Sequence, residues 1–271
     1  MKAFLIIISA ALLLPNFINT DINPELEFDK KERFDPALGY INTPEKLEHN
    51  IDSIAESKDI AIGSFEYVQI AESVIKRRFY HGFSHFSLSE NWIAALSGRF
   101  IDESLACKVN PEDILEHPNA ACSQQSIVLM AFLYKKNISY RKIGFPHHYA
   151  MEVMADGEWF FSDPNMEPTM KKQQRMESAW NHQGDALKKY YDKNRHKNLD
   201  YQFGTNQAAF VGPVNEVPAR NVKSFHTITF IASKLLWCLP LLLLYFKPAI
   251  SFSPSVSFSI KRKHPKFSFA V

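Results

Sequence analysis

Apolar positions follow three patterns along the 271 residues. Residues 1–14, MKAFLIIISAALLL, are an almost unbroken apolar run behind Lys2. Residues 225–246, FHTITFIASKLLWCLPLLLLYF, form a second run of about the ~20 residues needed to cross a bilayer as a helix. Between them apolar and polar residues alternate with the periods of ordinary helices and strands. In 43–76, Leu47, Ile51, Ile54 and Ala55 recur at helical spacing behind Thr43 as cap and Pro44 at the first helical position, with Gly63 as an interruption. Residues 88–96, LSENWIAAL, predict a short helix with Ser89 as cap. Residues 122–136 predict a helix whose second half, Ile127 to Tyr134, is apolar on every side and therefore buried. Asn137 ends it, and Lys135 and Lys136 suit its negative end. Strands follow at 139–144, 148–154 and 158–163, the last two joined by the turn residues Ala155-Asp156-Gly157. Residues 170–194 are polar on most faces and predict a long, solvated surface helix carrying no chemistry.

The two apolar runs set the domain plan. Residues 1–20 suit a signal peptide or an N-terminal anchor, although PNFINTD offers no clean cleavage site; a buried core helix is the alternative. Residues 21–218 form the soluble domain. Residues 225–246 predict a transmembrane helix, at a cost of roughly 2.5–3.5 kcal/mol for Lys234 and with Pro240 as a kink point. Residues 247–271 predict a basic tail. Lys247, Lys261, Arg262, Lys263 and Lys266 give that tail +5 with no acid, so the net +2 of the chain leaves about −3 before it (26 basic, 29 acidic residues). By the positive-inside rule the tail faces the cytoplasm and the middle of the chain is exported, to the periplasm or exterior. A domain without positive charge lacks the electrostatic footprint of a nucleic-acid binder. Partners expected are the membrane and a protein, peptide or cell-envelope substrate. No cofactor is expected.

The chemistry concentrates in 121–168. Cys122 opens the buried helix, where unpaired N–H groups and the positive end of the dipole stabilise a thiolate and can hold an oxyanion. The hairpin pairs odd residues with even ones, so His148 falls opposite Asp163 or Asn165 and on the same face as both. A carboxylate there orients the imidazole and stabilises its charged form. His147 points to the other face. Cys122, His148 and Asp163 thus form a candidate nucleophile, base and orienter. Two rivals use the same atoms. Cys107 could pair with Cys122 in an oxidising compartment. Cys122, His147, His148 and Asp163 are legal zinc ligands, but they lack zinc-site spacing, and adjacent histidines on opposite faces do not easily share an ion.

The helix-borne cysteine, the HYAME run from His148 to Glu152, the DGEW turn from Asp156 to Trp159 and the SDP run from Ser162 to Pro164 resemble the transglutaminase-like superfamily. That group includes transglutaminases, peptide:N-glycanases and many bacterial cysteine-hydrolase domains. The resemblance covers 121–168 and extends back to Asn91. It implies an α+β fold with a papain-like core, the cysteine helix packed on an antiparallel sheet. It implies acyl transfer by Cys122, His148 and Asp163, and an oxyanion donor upstream, for which Asn91 and Trp92 are candidates. Tyr149-Ala150 stands where many members have Ala-Trp, which removes one wall of the acyl pocket and favours hydrolysis over cross-linking. Gln124 and Gln125, one helical turn in, are polar support or substrate-facing groups. The alternative is a binding or assembly module with a vestigial site.

Overall fold

The computed structural model describes residues 2–23, 28–30, 32–193 and 198–245. The predicted basic tail at 247–271 lies outside the described residues. In chain order the elements are α1 (Lys2–Leu13), α2 (Pro44–Ser57), α3 (Phe65–Arg78), α4 (Leu88–Phe100), α5 (Pro111–Leu115), α6 (Cys122–Lys135), β1 (Tyr140–Gly144), β2 (Tyr149–Ala155), β3 (Glu158–Ser162), α7 (Lys172–Arg175), α8 (Glu177–Trp180), α9 (Gly184–Lys188), α10 (Leu199–Phe203), β4 (Phe210–Val214), α11 (Arg220–Leu235) and α12 (Cys238–Tyr245). The class is α+β, with one antiparallel sheet of order β3-β2-β1-β4.

The sheet separates two apolar layers. On one face Tyr140, Met151, Val153 and Phe160 pack against α2, α3 and α6. On the other, Ile143, Ala150 and Phe161 meet Met166, Met170, Trp180, Leu187, Tyr191 and Phe203. The period-2 alternation of β2 therefore sorts its side chains between two separate cores. Helix α6 is the central rod of the first layer, with Val128, Leu129, Met130 and Leu133 at most 1 % exposed. Tyr134 departs from the expected all-round burial and is exposed. Asn137 takes the left-handed conformation that ends the helix, at φ 56°.

Local chemistry accounts for the boundaries. Thr43 accepts from the Lys46 N–H at 3.3 Å and caps α2, and the break before α3 falls at the predicted Gly63, whose φ is +87°. The cap of α4 is Ser87, not Ser89: Ser87 Oγ accepts from Glu90 N–H while Glu90 Oε2 accepts from Ser87 N–H at 2.7 Å. This capping box gains two bonds where Ser89 would gain one. Asp156 and Gly157, at φ 48° and 81°, make a two-residue turn with both residues left-handed, and Ala155 faces Glu158 across it.

Two expectations are corrected. Residues 170–194 do not form one solvated helix. They break into α7, α8 and α9 and cover the second core, because Met170, Arg175, Trp180, Leu187 and Tyr191 are buried. Residues 225–246 do not form one straight span. Among the described residues no single helix is long and apolar enough to cross a membrane; α11 and α12 pass that test together but are bent by 47°. The bend follows Leu235, ahead of the predicted kink at Pro240, which sits in the first turn of α12 where proline is tolerated. Helix α11 is not lipid-like on all sides: its His226, Thr229 and Ser233 are buried, and the helix packs on α4.

Candidate active site

Cys122 is the first residue of α6, half-buried and unpaired. Ala121 holds the cap position with extended backbone but has no side-chain acceptor for the first turn. The chain before it is clamped by the segment after α3. Tyr80 N–H donates to Pro118 O at 3.1 Å, Ala120 N–H to Tyr80 O at 3.0 Å and Asn119 Nδ2 to Phe83 O at 2.7 Å. Gln124 completes the clamp. Its Oε1 accepts from Ser84 N–H (3.0 Å) and Ala121 N–H (3.2 Å), and its Nε2 donates to Ser84 O (2.9 Å) and Lys108 O (2.8 Å). Gln124 is 1 % exposed, so it is support for the helix start and does not face substrate. Gln125 is fully buried, with Nε2 on Ala120 O at 2.8 Å.

The hairpin brings the base and its orienter together. Its register sets Met151 against Ser162, which continues to Ala150 opposite Asp163 and His148 opposite Asn165. His148 Nε2 lies 2.8 Å from Asp163 Oδ2, and both side chains are essentially inaccessible, at 2 % and 0 %. With Nε2 committed, Nδ1 is the ring nitrogen left for the thiol. Cys122 lies close enough to help raise the imidazole's pKa. Phe203 packs edge-on and Phe145 face-on around the ring, at 5.2 and 6.2 Å.

Burial alone would drive the imidazole toward its neutral form. The charge and hydrogen bond of Asp163 outweigh it, helped by the hydrogen bond and charge of Cys122, and lift His148 to about 10. Burial would likewise raise Asp163. The charge and hydrogen bond of His148, the Tyr191 hydroxyl and the Met166 N–H reverse this and hold the carboxyl at about 2. At neutral pH the site therefore contains an imidazolium and a carboxylate.

A second set of residues fixes Asp163, and sequence reasoning missed it. Tyr191 donates its hydroxyl to Asp163 Oδ2 at 2.7 Å, while Asp163 Oδ1 accepts from the N–H groups of Asn165 (3.1 Å) and Met166 (3.0 Å). Below this loop lies a buried ion pair. Arg175 donates to both oxygens of Glu72, at 2.9 and 3.1 Å, and to Phe161 O at 3.2 Å. Glu72 in turn accepts from the Ser162 hydroxyl at 3.2 Å. The only trace of these roles in the sequence is a Trp, two Tyr and an Arg inside a stretch that otherwise looks solvated.

The other candidates separate. Tyr149 faces the α6 side of the sheet. Burial pushes its phenol upward, with Glu216, Tyr140 and Cys122 adding to it. Asn91 and Trp92 are spent elsewhere. Asn91 Nδ2 donates to Thr229 Oγ1 at 3.0 Å and Trp92 Nε1 to Ser233 O at 3.1 Å, so both hold α11. Their side-chain N–H groups are thus engaged with α11. Cys107 is buried and unpaired, so it forms no bond with Cys122 here. His147 is exposed and stacked on Tyr201 at 3.7 Å, whereas His148 is buried on Asp163, so the two imidazoles serve different surfaces. Among the described residues one group has metal-ligand atoms mutually within 4.8 Å: Glu152, Glu177 and His182. Arg141 already donates to Glu152 at 2.6 Å and to Glu177, which supplies that group with its cation.

No protein-family model matches the chain, and no curated protein and no solved structure matches it.

Proposed function

We propose that the protein is a thiol enzyme of acyl transfer with a transglutaminase-like core, and that Cys122, His148 and Asp163 are its nucleophile, base and orienter. The observation that carries this reading is the buried His148–Asp163 pair, joined at 2.8 Å, beside a cysteine at a helix start whose thiol contributes to the imidazole's electrostatics. A charged imidazole beside a thiol favours the thiolate, the nucleophilic form. The thiolate attacks the carbonyl carbon of an amide or ester. The oxyanion faces the uncapped first-turn N–H groups of α6. His148 gives its proton to the leaving amine or alcohol, and a thioester remains. His148 then takes a proton from water, hydroxide attacks the thioester, and the acid leaves as the thiolate is restored.

Water is the favoured acceptor. Tyr149-Ala150 replaces a tryptophan wall, and of the aromatics before α4, Phe79 is buried and Phe86 packs on His226 at 4.8 Å. Both are thus taken up in packing, while Phe83, half-buried beside Asn119, remains as an aromatic near the start of α6. The substrate class is a protein, peptide or cell-envelope component, and the domain is exported and held at the membrane.

Iodoacetamide labelling of the native protein at pH 6, read by mass spectrometry, tests the site. Cys122 is expected to react and Cys107 to stay unmodified, since burial pushes the Cys107 thiol up. Equal sluggishness of the two, or a native disulfide between them, overturns the reading in favour of a binding module. Incubation with a glutamine-containing protein pool and a labelled primary amine decides the acceptor. Incorporation that disappears in Cys122→Ala would make the protein a cross-linker.

A further inference from the structure

Helix α1 is apolar around its circumference, with Ser9 the one polar residue after Lys2. A soluble helix of that composition is normally buried. Here Phe4, Ile6 and Ile7 are 53–66 % exposed, and they point in three directions at 100° per residue. Leu239, Leu242 and Leu243 of α12 are likewise more than half exposed. The two helices pack on each other. Ser9 Oγ donates to Trp237 O at 2.6 Å, and Asn16 Nδ2 donates to Ser233 O at 3.0 Å. Ser9 thus meets the residue just before α12 and Asn16, beyond α1, meets Ser233 of α11; the pairing runs in opposite senses along 9–16 and 233–237, which carries α1 and α12 away from the domain side by side. Lys2 and the segment after Tyr245 therefore leave the pair at the same end.

The other end is built into the domain. Lys234 Nζ donates to Asn16 Oδ1 at 3.0 Å and to Ser89 O at 2.6 Å. The lysine that a hydropathy reading puts in mid-membrane thus sits at the junction of α1, α11 and α4, with its charge answered by oxygen. Removing residues 2–17 would strip this ammonium of one acceptor and bare the α1-facing side of α12.

We propose that α1 and α12 form one bilayer-inserted hairpin, with α1 a permanent half of the anchor rather than a removable export signal. This rests on the membrane-held reading above. A bilayer with anionic headgroups fits better than a protein partner for three reasons. The exposed apolar surface covers the whole side of α1 that faces away from α12 and continues onto Leu239, Leu242 and Leu243 of α12, a broader face than one helical stripe. No Asp or Glu occurs in 2–20 or 217–271, while the residues after Tyr245 carry five cations that match an anionic leaflet. Trp237 and Lys234 mark the domain-side boundary, where such residues anchor at an interface. The helical rise of α1 is about 18 Å and that of the described part of α12 about 12 Å, so the pair enters the ~30 Å hydrocarbon layer from the domain side without having to cross it.

The test uses the full chain with its own N-terminus. Intact mass of the protein extracted from carbonate-washed membranes is expected to include residues 2–17. In a Cys122→Ser background, Ser9→Cys is expected to be bridged to native Cys238 by a short bis-maleimide in those membranes. The purified chain is expected to float with vesicles containing phosphatidylglycerol, and less with phosphatidylcholine alone. Carbonate-resistant protein whose N-terminus begins after Phe17 overturns the proposal while leaving the membrane-held reading intact. A chain that is soluble without detergent, alone or as a dimer that covers α1, overturns both.

Discussion

Replacing Asp163 by Asn keeps the size of the side chain and removes the charge that sets the state of His148. Burial is the largest single influence on that imidazole and favours its neutral form; the carboxylate at 2.8 Å is what reverses the sign and carries the group to about 10. Without the charge, burial prevails and His148 falls below its ordinary 6.5. The passage from about 10 to below 6.5 amounts to roughly 5 kcal/mol of lost preference for the imidazolium. The new amide also places its NH2 against either the Asn165 and Met166 N–H groups or the His148 and Tyr191 donors, a further cost of about 1–3 kcal/mol in stability. At pH 7 the thiol of the variant loses its cation. A thiol without such a neighbour is only a few per cent ionised at that pH. Iodoacetamide alkylation of Cys122 in Asp163→Asn should therefore slow by roughly tenfold or more at pH 7. The assay is timed labelling read by intact mass, with circular dichroism to show that the variant is folded. A folded variant that alkylates at the wild-type rate, with the wild-type pH profile, would refute the assignment of Asp163 as the source of the imidazolium.

Arg175→Met leaves the buried carboxylate of Glu72 without its partner and should cost about 3–5 kcal/mol, read as a shift in urea midpoint; a loss below ~1 kcal/mol would show the pair to be dispensable. The His148 pKa is raised in the folded state, so its stabilisation is complete below 6.5 and is lost as pH climbs through about 10; urea midpoints should decline across that window in the wild type and stay level in Asp163→Asn. Asp163 has the opposite sign, its contribution present above 3.8 and lost as pH falls through about 2, and midpoints that rise on acidification would contradict it. Gly157→Ala meets open space but a φ of +81°, so it should destabilise the hairpin by about 1–2 kcal/mol; a stabilised variant would mean that the turn tolerates a side chain.

The hairpin and the thiol helix were legible because each is specified locally. An Asp-Gly pair between alternating runs fixes a two-residue turn, and that turn alone determines which face His148 and Asp163 share. The cap of α4 was equally local. Ser87 and Glu90 have capping-box spacing, and choosing Ser89 missed the reciprocal bond. What was not legible depends on distant partners. Tyr191, Arg175 and Glu72 meet only after the chain has turned back over the sheet, and their spacing, 103 residues between the two charges, carries no periodic signal. The run at 225–246 misled for a related reason. A hydropathy window averages around the helix, whereas His226, Thr229 and Ser233 recur on one face and bury there against α4. Asn91 and Trp92, sought as oxyanion donors, are the residues that receive this face.

The Tyr191–Asp163 hydrogen bond implies an order of assembly. The chain leaves the ribosome N-terminus first. Cys122 and the hairpin that carries His148 and Asp163 therefore emerge before Arg175, Tyr191 and Phe203, the residues that clamp the aspartate and roof the imidazole. Until that later segment closes over the sheet, the pair stands in water, where a carboxylate exerts only a fraction of its pull on a neighbouring imidazole. A chain that ends before Arg175 therefore holds Cys122, His148 and Asp163 without the Tyr191 hydroxyl and the Phe203 ring that fix and cover the pair.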